Sequence, residues 1–62
     1  MFSDLLERDR KRLGLRDARA AWLIGATVAE YREIEAGRRY PTADQYDRIV
    51  EVFGWPEMRL GR

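Results

Sequence analysis

The chain contains neither cysteine nor histidine. Without thiols there is no disulfide framework, no thiolate zinc site and no thiol nucleophile, so the staples that hold many mini-proteins together are missing. Without imidazole, neither Ser-His-Asp nor Cys-His catalysis can be assembled, and a zinc site would need an all-carboxylate ligand set. The inventory therefore argues against an enzyme and gives no reason to expect a metal or a cofactor. Long apolar runs are also missing, and no stretch approaches the roughly 20 residues needed to span a bilayer. The opening Met1-Phe2-Ser3-Asp4 lacks the basic segment and apolar run of a secretory leader, so a cytoplasmic protein without a membrane partner is expected. Charge of one sign is not in excess: 12 basic residues against 11 acidic ones leave a net charge of +1. Global charge thus does not announce a nucleic-acid partner. Eleven of the 12 basic residues are arginine, which suits planar, two-pronged recognition.

What is present is well-placed punctuation. A chain of 62 residues is one domain at most, here taken as 1–62, and so short a domain buries only about 60% of the surface its unfolded state exposes. Gly14, Gly25, Gly37, Pro41, Gly54 and Pro56 cut it into segments of helical length, leaving no room for strands. Ser3 can cap a first helix, with Asp4 at its positive end, that runs through Leu5, Leu6, Asp9 and Leu13 to Gly14. A second, alanine-rich segment spans Asp17 to Ile24 and closes on Gly25. Thr27 followed three residues later by Glu30 is a capping box for a third helix, expected to reach Ala36 and stop at Gly37. Thr42 and Gln45 repeat the device after Pro41 for a fourth helix, through Tyr46, Ile49, Val50 and Phe53 to Gly54. Pro56 can open a short fifth turn through Met58 and Leu60, since proline tolerates the first helical position. The fold expected is all-α, four helices plus that turn.

The informative stretch is Asp17 to Gly37: a short helix, a tight Gly25-Ala26-Thr27 turn, then a capped helix. Ala21 allows close approach, and Ile24, Tyr31 and Ile34 supply the apolar contact. At about 100° per residue, Tyr31 and Ile34 define the buried side of the third helix. The opposite side is Ala29, Arg32, Glu33 and Ala36, with Val28 at its edge.

The run Leu13-Gly14-Leu15, Ala21, Gly25, Thr27, Ile34-Glu35-Ala36-Gly37 and Pro41-Thr42 resembles the Cro and lambda-repressor (XRE-type) family of helix-turn-helix DNA-binding domains. The similarity runs from Phe2 to about Leu60, without a gap between Gly14 and Gly37. It implies a sequence-specific regulator of transcription that binds double-stranded DNA, with the second helix across the backbone and the third in the major groove. It also implies base contacts from Val28, Ala29, Arg32 and Glu33, and backbone contacts from Arg16, Thr27, Arg38, Arg39 and Tyr40. Arg10 and Glu35 stand where the family pairs a basic and an acidic residue, and the resemblance implies a partly buried ion pair between them. Members often dimerise through segments after the fourth helix; here a monomer or a weak homodimer formed on DNA is expected.

Three departures qualify the resemblance. Among the base-facing positions only Arg32 can donate to a guanine edge and only Glu33 accept from cytosine, while Val28 and Ala29 suit thymine methyls, so direct readout is thin. Where the family places a cap and a glutamine, this chain has Arg16 and Asp17: the aspartate would repel phosphate but is a good N-cap, and Arg16 replaces the lost contact. Ala20 is small for a core position and Tyr31 large, an exchange that conserves volume.

Trp22, Leu23 and Trp55 form a candidate apolar surface for a protein partner, which defines the alternative reading: an interaction module on the same scaffold. A tryptophan lying over the edge of the core is the plainer account of such a residue in so small a domain. For Arg38, Arg39 and Tyr40 the plainer account is a solvated loop complementing a helix C-terminus. Arg8, Lys11 and Arg12 interleave with Asp4, Glu7 and Asp9 at helical spacings and read as a solvated face.

Overall fold

The computed structural model describes residues 2–55. Four helices follow one another: α1 (Phe2–Arg12), α2 (Asp17–Ile24), α3 (Val28–Glu35) and α4 (Ala43–Phe53). The fold is all-α, and no strand occurs among the described residues. No helix there is long and apolar enough to cross a membrane. The turn expected after Pro56 lies outside the described residues.

Local chemistry sets most of the helix ends. The Thr27 hydroxyl accepts from the Glu30 N–H at 3.0 Å while the Thr27 N–H donates to Glu30 Oε1 at 3.0 Å, so two donors that a helix start leaves without partners are satisfied. Thr42 and Gln45 do the same for α4, at 3.1 and 3.0 Å. At the end of α2, Gly25 takes φ +76°, a left-handed conformation a Cβ would strain. The reversal lets Ala26 N–H return to the Ala21 carbonyl at 2.9 Å, and α3 then packs back across α2. At Gly37 (φ +79°) a Cβ would also come within 3.3 Å of the Ser3 hydroxyl.

Two starts differ from expectation. Ser3 does not cap α1, because the helix already includes Phe2, whose ring meets Tyr46 at 6.0 Å and Trp55 edge-on at 5.7 Å. With that ring packed, the helix begins two residues earlier than a Ser3 cap would allow. Asp17 does not cap α2 either: Arg16 is the N-cap, with extended backbone and no side-chain cap bond, and Asp17 is the first helical residue. Its carboxylate stays near the positive helix end but turns to Arg32.

The core is Leu6 of α1, Ala20, Ala21 and Ile24 of α2, Tyr31 and Ile34 of α3, and Ile49 and Phe53 of α4. Ala20 and Tyr31 are both fully buried, as an exchange of volume between two core positions requires. Beside this apolar set lies one charged residue, Asp9, only 3% exposed. It is not part of a solvated face. Its carboxylate accepts from the Trp55 indole N–H, from Arg12 Nε at 3.2 Å and from Arg8 Nε at 3.4 Å. The indole hydrogen bond, with the two arginines, holds the Asp9 carboxyl below its ordinary pKa.

Candidate nucleic-acid interface

The buried side of α3 is anchored by polar contacts as well as by packing. Arg10 of α1 reaches Glu35 through Nε at 2.7 Å and Nη2 at 3.2 Å, and its Nη1 donates to the Leu15 carbonyl at 2.9 Å. The Tyr31 hydroxyl donates to the same Glu35 carboxylate at 2.6 Å. Both charged side chains are mostly buried, 16% exposed for Arg10 and 14% for Glu35. The bond to Glu35 raises the pKa of Arg10, and burial, then the bond to Glu35, raises that of Tyr31. This cluster fixes the rotation of α3 about its axis, and with it the residues that face outward.

Ala29, Arg32 and Ala36 are exposed on that outward side, Glu33 is half-buried, and Val28 packs partly against the core. The N-terminus of α2 flanks α3 on one side, with Arg16 exposed at the cap. The loop to α4 follows, carrying exposed Arg38, Arg39 and Tyr40; Tyr40 is 86% exposed. Arg38, Arg39 and Tyr40 rim an open groove floored by Phe2, Ser3 and Ile34. The Thr27 hydroxyl is engaged as a cap acceptor, which leaves its own proton available to an outside acceptor.

The charges of this strip are not independent. Arg32 Nε donates to Asp17 Oδ2 at 2.7 Å, joining α3 to the start of α2. Arg39 Nε donates to Glu33 Oε1 at 2.9 Å, joining the loop back to α3. The bond from Arg32 lowers the pKa of Asp17. Arg38 has no carboxylate partner among the described residues. The strip therefore sets four arginines, Arg16, Arg32, Arg38 and Arg39, against two carboxylates that hold half of them. The role of Asp17 escaped the sequence because its partner is 15 positions away, beyond the spacings that a single helix makes readable. Glu33 and Arg39 are closer in sequence, but the chain turns at Gly37 between them.

The three candidate residues for a protein partner separate. Trp22 is 68% exposed, on the side of α2 away from its buried residues, with the Arg19 guanidinium 5.0 Å from its ring centre. Leu23 is half-buried. Trp55 is not a free surface: its ring packs against Phe2 and Phe53 and its N–H is used by Asp9. Its polar edge found a buried acceptor, which a sequence reading of exposure does not foresee.

A family model described as a helix-turn-helix domain matches residues 2–60. No curated protein and no solved structure gives a significant match.

Proposed function

The chain belongs to the helix-turn-helix domain family, and from that premise we propose that it is a sequence-specific, double-stranded-DNA-binding regulator of transcription that lays α3 in the major groove. The observation that carries this reading is the outward strip of Arg16, Arg32, Arg38 and Arg39, disposed along α3 and the segments on either side of it. In this docking α2 crosses the backbone, Arg16, Thr27, Arg38, Arg39 and Tyr40 meet phosphates, and Val28, Ala29, Arg32 and Glu33 face base edges. The charged and polar set positions the domain, while apolar contact with thymine methyls and duplex shape supply part of the preference. The protein acts in the cytoplasm, as a monomer in the free state or a weak dimer on adjacent half-sites.

Fluorescence anisotropy with a labelled random duplex over a salt series tests the reading. Binding tight at low salt and falling steeply as salt rises is the expected result, because neutralised phosphates release counterions. Arg38→Ala and Arg39→Ala should weaken all sequences alike and reduce the slope by about one unit each. The loss should be greater for Arg38, since Arg39 must first part from Glu33. No binding at low salt would refute the proposal.

A second reading has one observation in its favour, the exposed Trp22 beneath Arg19. As an interaction module, the chain would bind a protein partner through Trp22 and Leu23, and salt would barely change the affinity. Trp22→Ala would abolish that binding and leave duplex binding unchanged.

A further inference from the structure

Arg32 is the one guanidinium on the outward side of α3, and the way it is held decides which atoms it offers. Asp17 takes the Nε edge. Among the described residues no acceptor engages either Nη group. Asp17 is the anchored member of the pair: it is the first residue of α2, and its side chain is 35% exposed against 67% for Arg32. A guanidinium gripped through Nε presents its two Nη groups as adjacent N–H donors, the fork that matches O6 and N7 of a guanine. Val28, Ala29 and Ala36 around it carry no side-chain donor, so nothing else on this face competes for those acceptors.

We propose that Asp17 is a specificity-determining residue, which holds Arg32 by Nε so that the Nη pair reads a guanine in the major groove, while its own charge repels the phosphate strand. The inference rests on the DNA-binding reading above. It has two opposed consequences. An arginine ordered before binding loses fewer rotamers when it meets the base, which sharpens preference at that base pair. A carboxylate beside the backbone lowers affinity for every duplex alike. Asp17 thus exchanges affinity for discrimination, whereas a carboxylate that only started a helix would leave base preference untouched.

The test is selection from a randomised duplex pool with the unaltered chain, Asp17→Ser and Arg32→Ala. Affinities are then measured for the selected site and for the same site with its guanine replaced. Serine is tolerated within a helix but is too short to reach Arg32. Asp17→Ser is expected to bind random duplex several-fold more tightly and to lose about tenfold in preference for the guanine, within the range of one two-pronged base contact. With Arg32→Ala already in place, Asp17→Ser should still tighten random binding but change preference no further. Asp17→Asn, which keeps an acceptor oxygen without the charge, should show the same tightening with a smaller loss of preference, and it carries the test if the serine variant unfolds. Unaltered preference in both Asp17 variants, with duplex binding intact, would overturn the inference and leave DNA binding standing. Absence of salt-dependent duplex binding by the unaltered chain would overturn both.

Discussion

Replacing Arg10 by alanine removes three hydrogen bonds at once, two to Glu35 and one to the Leu15 carbonyl. It leaves the Glu35 carboxylate facing the core with only the Tyr31 hydroxyl as donor. Breaking a deeply buried ion pair by removing one member costs about 3–5 kcal/mol, most of it the penalty of the charge left behind. Glu35 is 14% exposed, so water reaches it in part, and the figure falls to about 2–3 kcal/mol. At roughly 0.05–0.15 kcal/mol per residue, a domain of this size has a total stability of about 3–9 kcal/mol. The loss is therefore about a fifth of the total at the least. For so short a domain it corresponds to a fall in Tm of roughly 10–20 °C, which thermal unfolding followed by circular dichroism would register directly. A second substitution isolates the cause. Glu35→Gln keeps an oxygen for Tyr31 and removes the orphaned charge, so the double variant Arg10→Ala with Glu35→Gln should be more stable than Arg10→Ala alone. A melting temperature of Arg10→Ala within 2–3 °C (on the order of 0.5 kcal/mol) of the unaltered chain would refute the reasoning. So would a double variant no better than the single one.

Two further predictions concern pH. Asp9 has its pKa held below the ordinary 3.8, so its contribution is present above that value and is lost as the pH falls through the folded pKa; the gap in urea midpoint between the unaltered chain and Asp9→Asn should be clear at neutral pH and close in strong acid. A gap that persists undiminished in strong acid would show that the carboxylate's charge is not what matters. Tyr31 has its phenol pKa raised above the ordinary 10.0 by burial and by Glu35, so stability is intact below pH 10 and declines above it, where the unfolded chain ionises that phenol and the folded one resists. Of the three tyrosines, one should yield its phenolate absorbance only on unfolding, and Tyr31→Phe should abolish that delayed component. Full ionisation of all three in a chain that is still folded would contradict it.

The sequence was most legible where structure is decided within a few residues. Thr27 with Glu30 and Thr42 with Gln45 name their partners by spacing, and Gly25, Gly37 and Gly54 stand where helices stop. The buried side of α3 was legible for the same reason, since Tyr31 and Ile34 are three apart on one helix. Arg10 and Glu35 came into view only through family resemblance. What spacing could not show is where a polar group goes when its partner lies elsewhere in the chain. Asp17 looked like a cap and proved to be the partner of Arg32; Asp9 looked like one charge on a wet helix face and proved to be buried against Trp55. Trp55 misled in the complementary way, because its apolar bulk suggested a surface while its N–H had already found an acceptor.

The hydrogen bond between Asp9 and Trp55 joins positions 46 residues apart, which bears on the order of events as the chain folds. The capping boxes close over three residues, and α3 and α4 each pack on α2, so these elements can assemble over shorter loops. Bringing α1 onto the residue that follows α4 means closing nearly the whole chain, and its entropic cost is met only once the intervening helices stand in place. An interaction made after the rate-limiting barrier hardly changes how fast the native state is reached. It changes how rarely that state is left. The junction of Asp9 and Trp55 would then act as the catch on a finished box, governing the lifetime of the folded domain and the rate at which a protease could enter it.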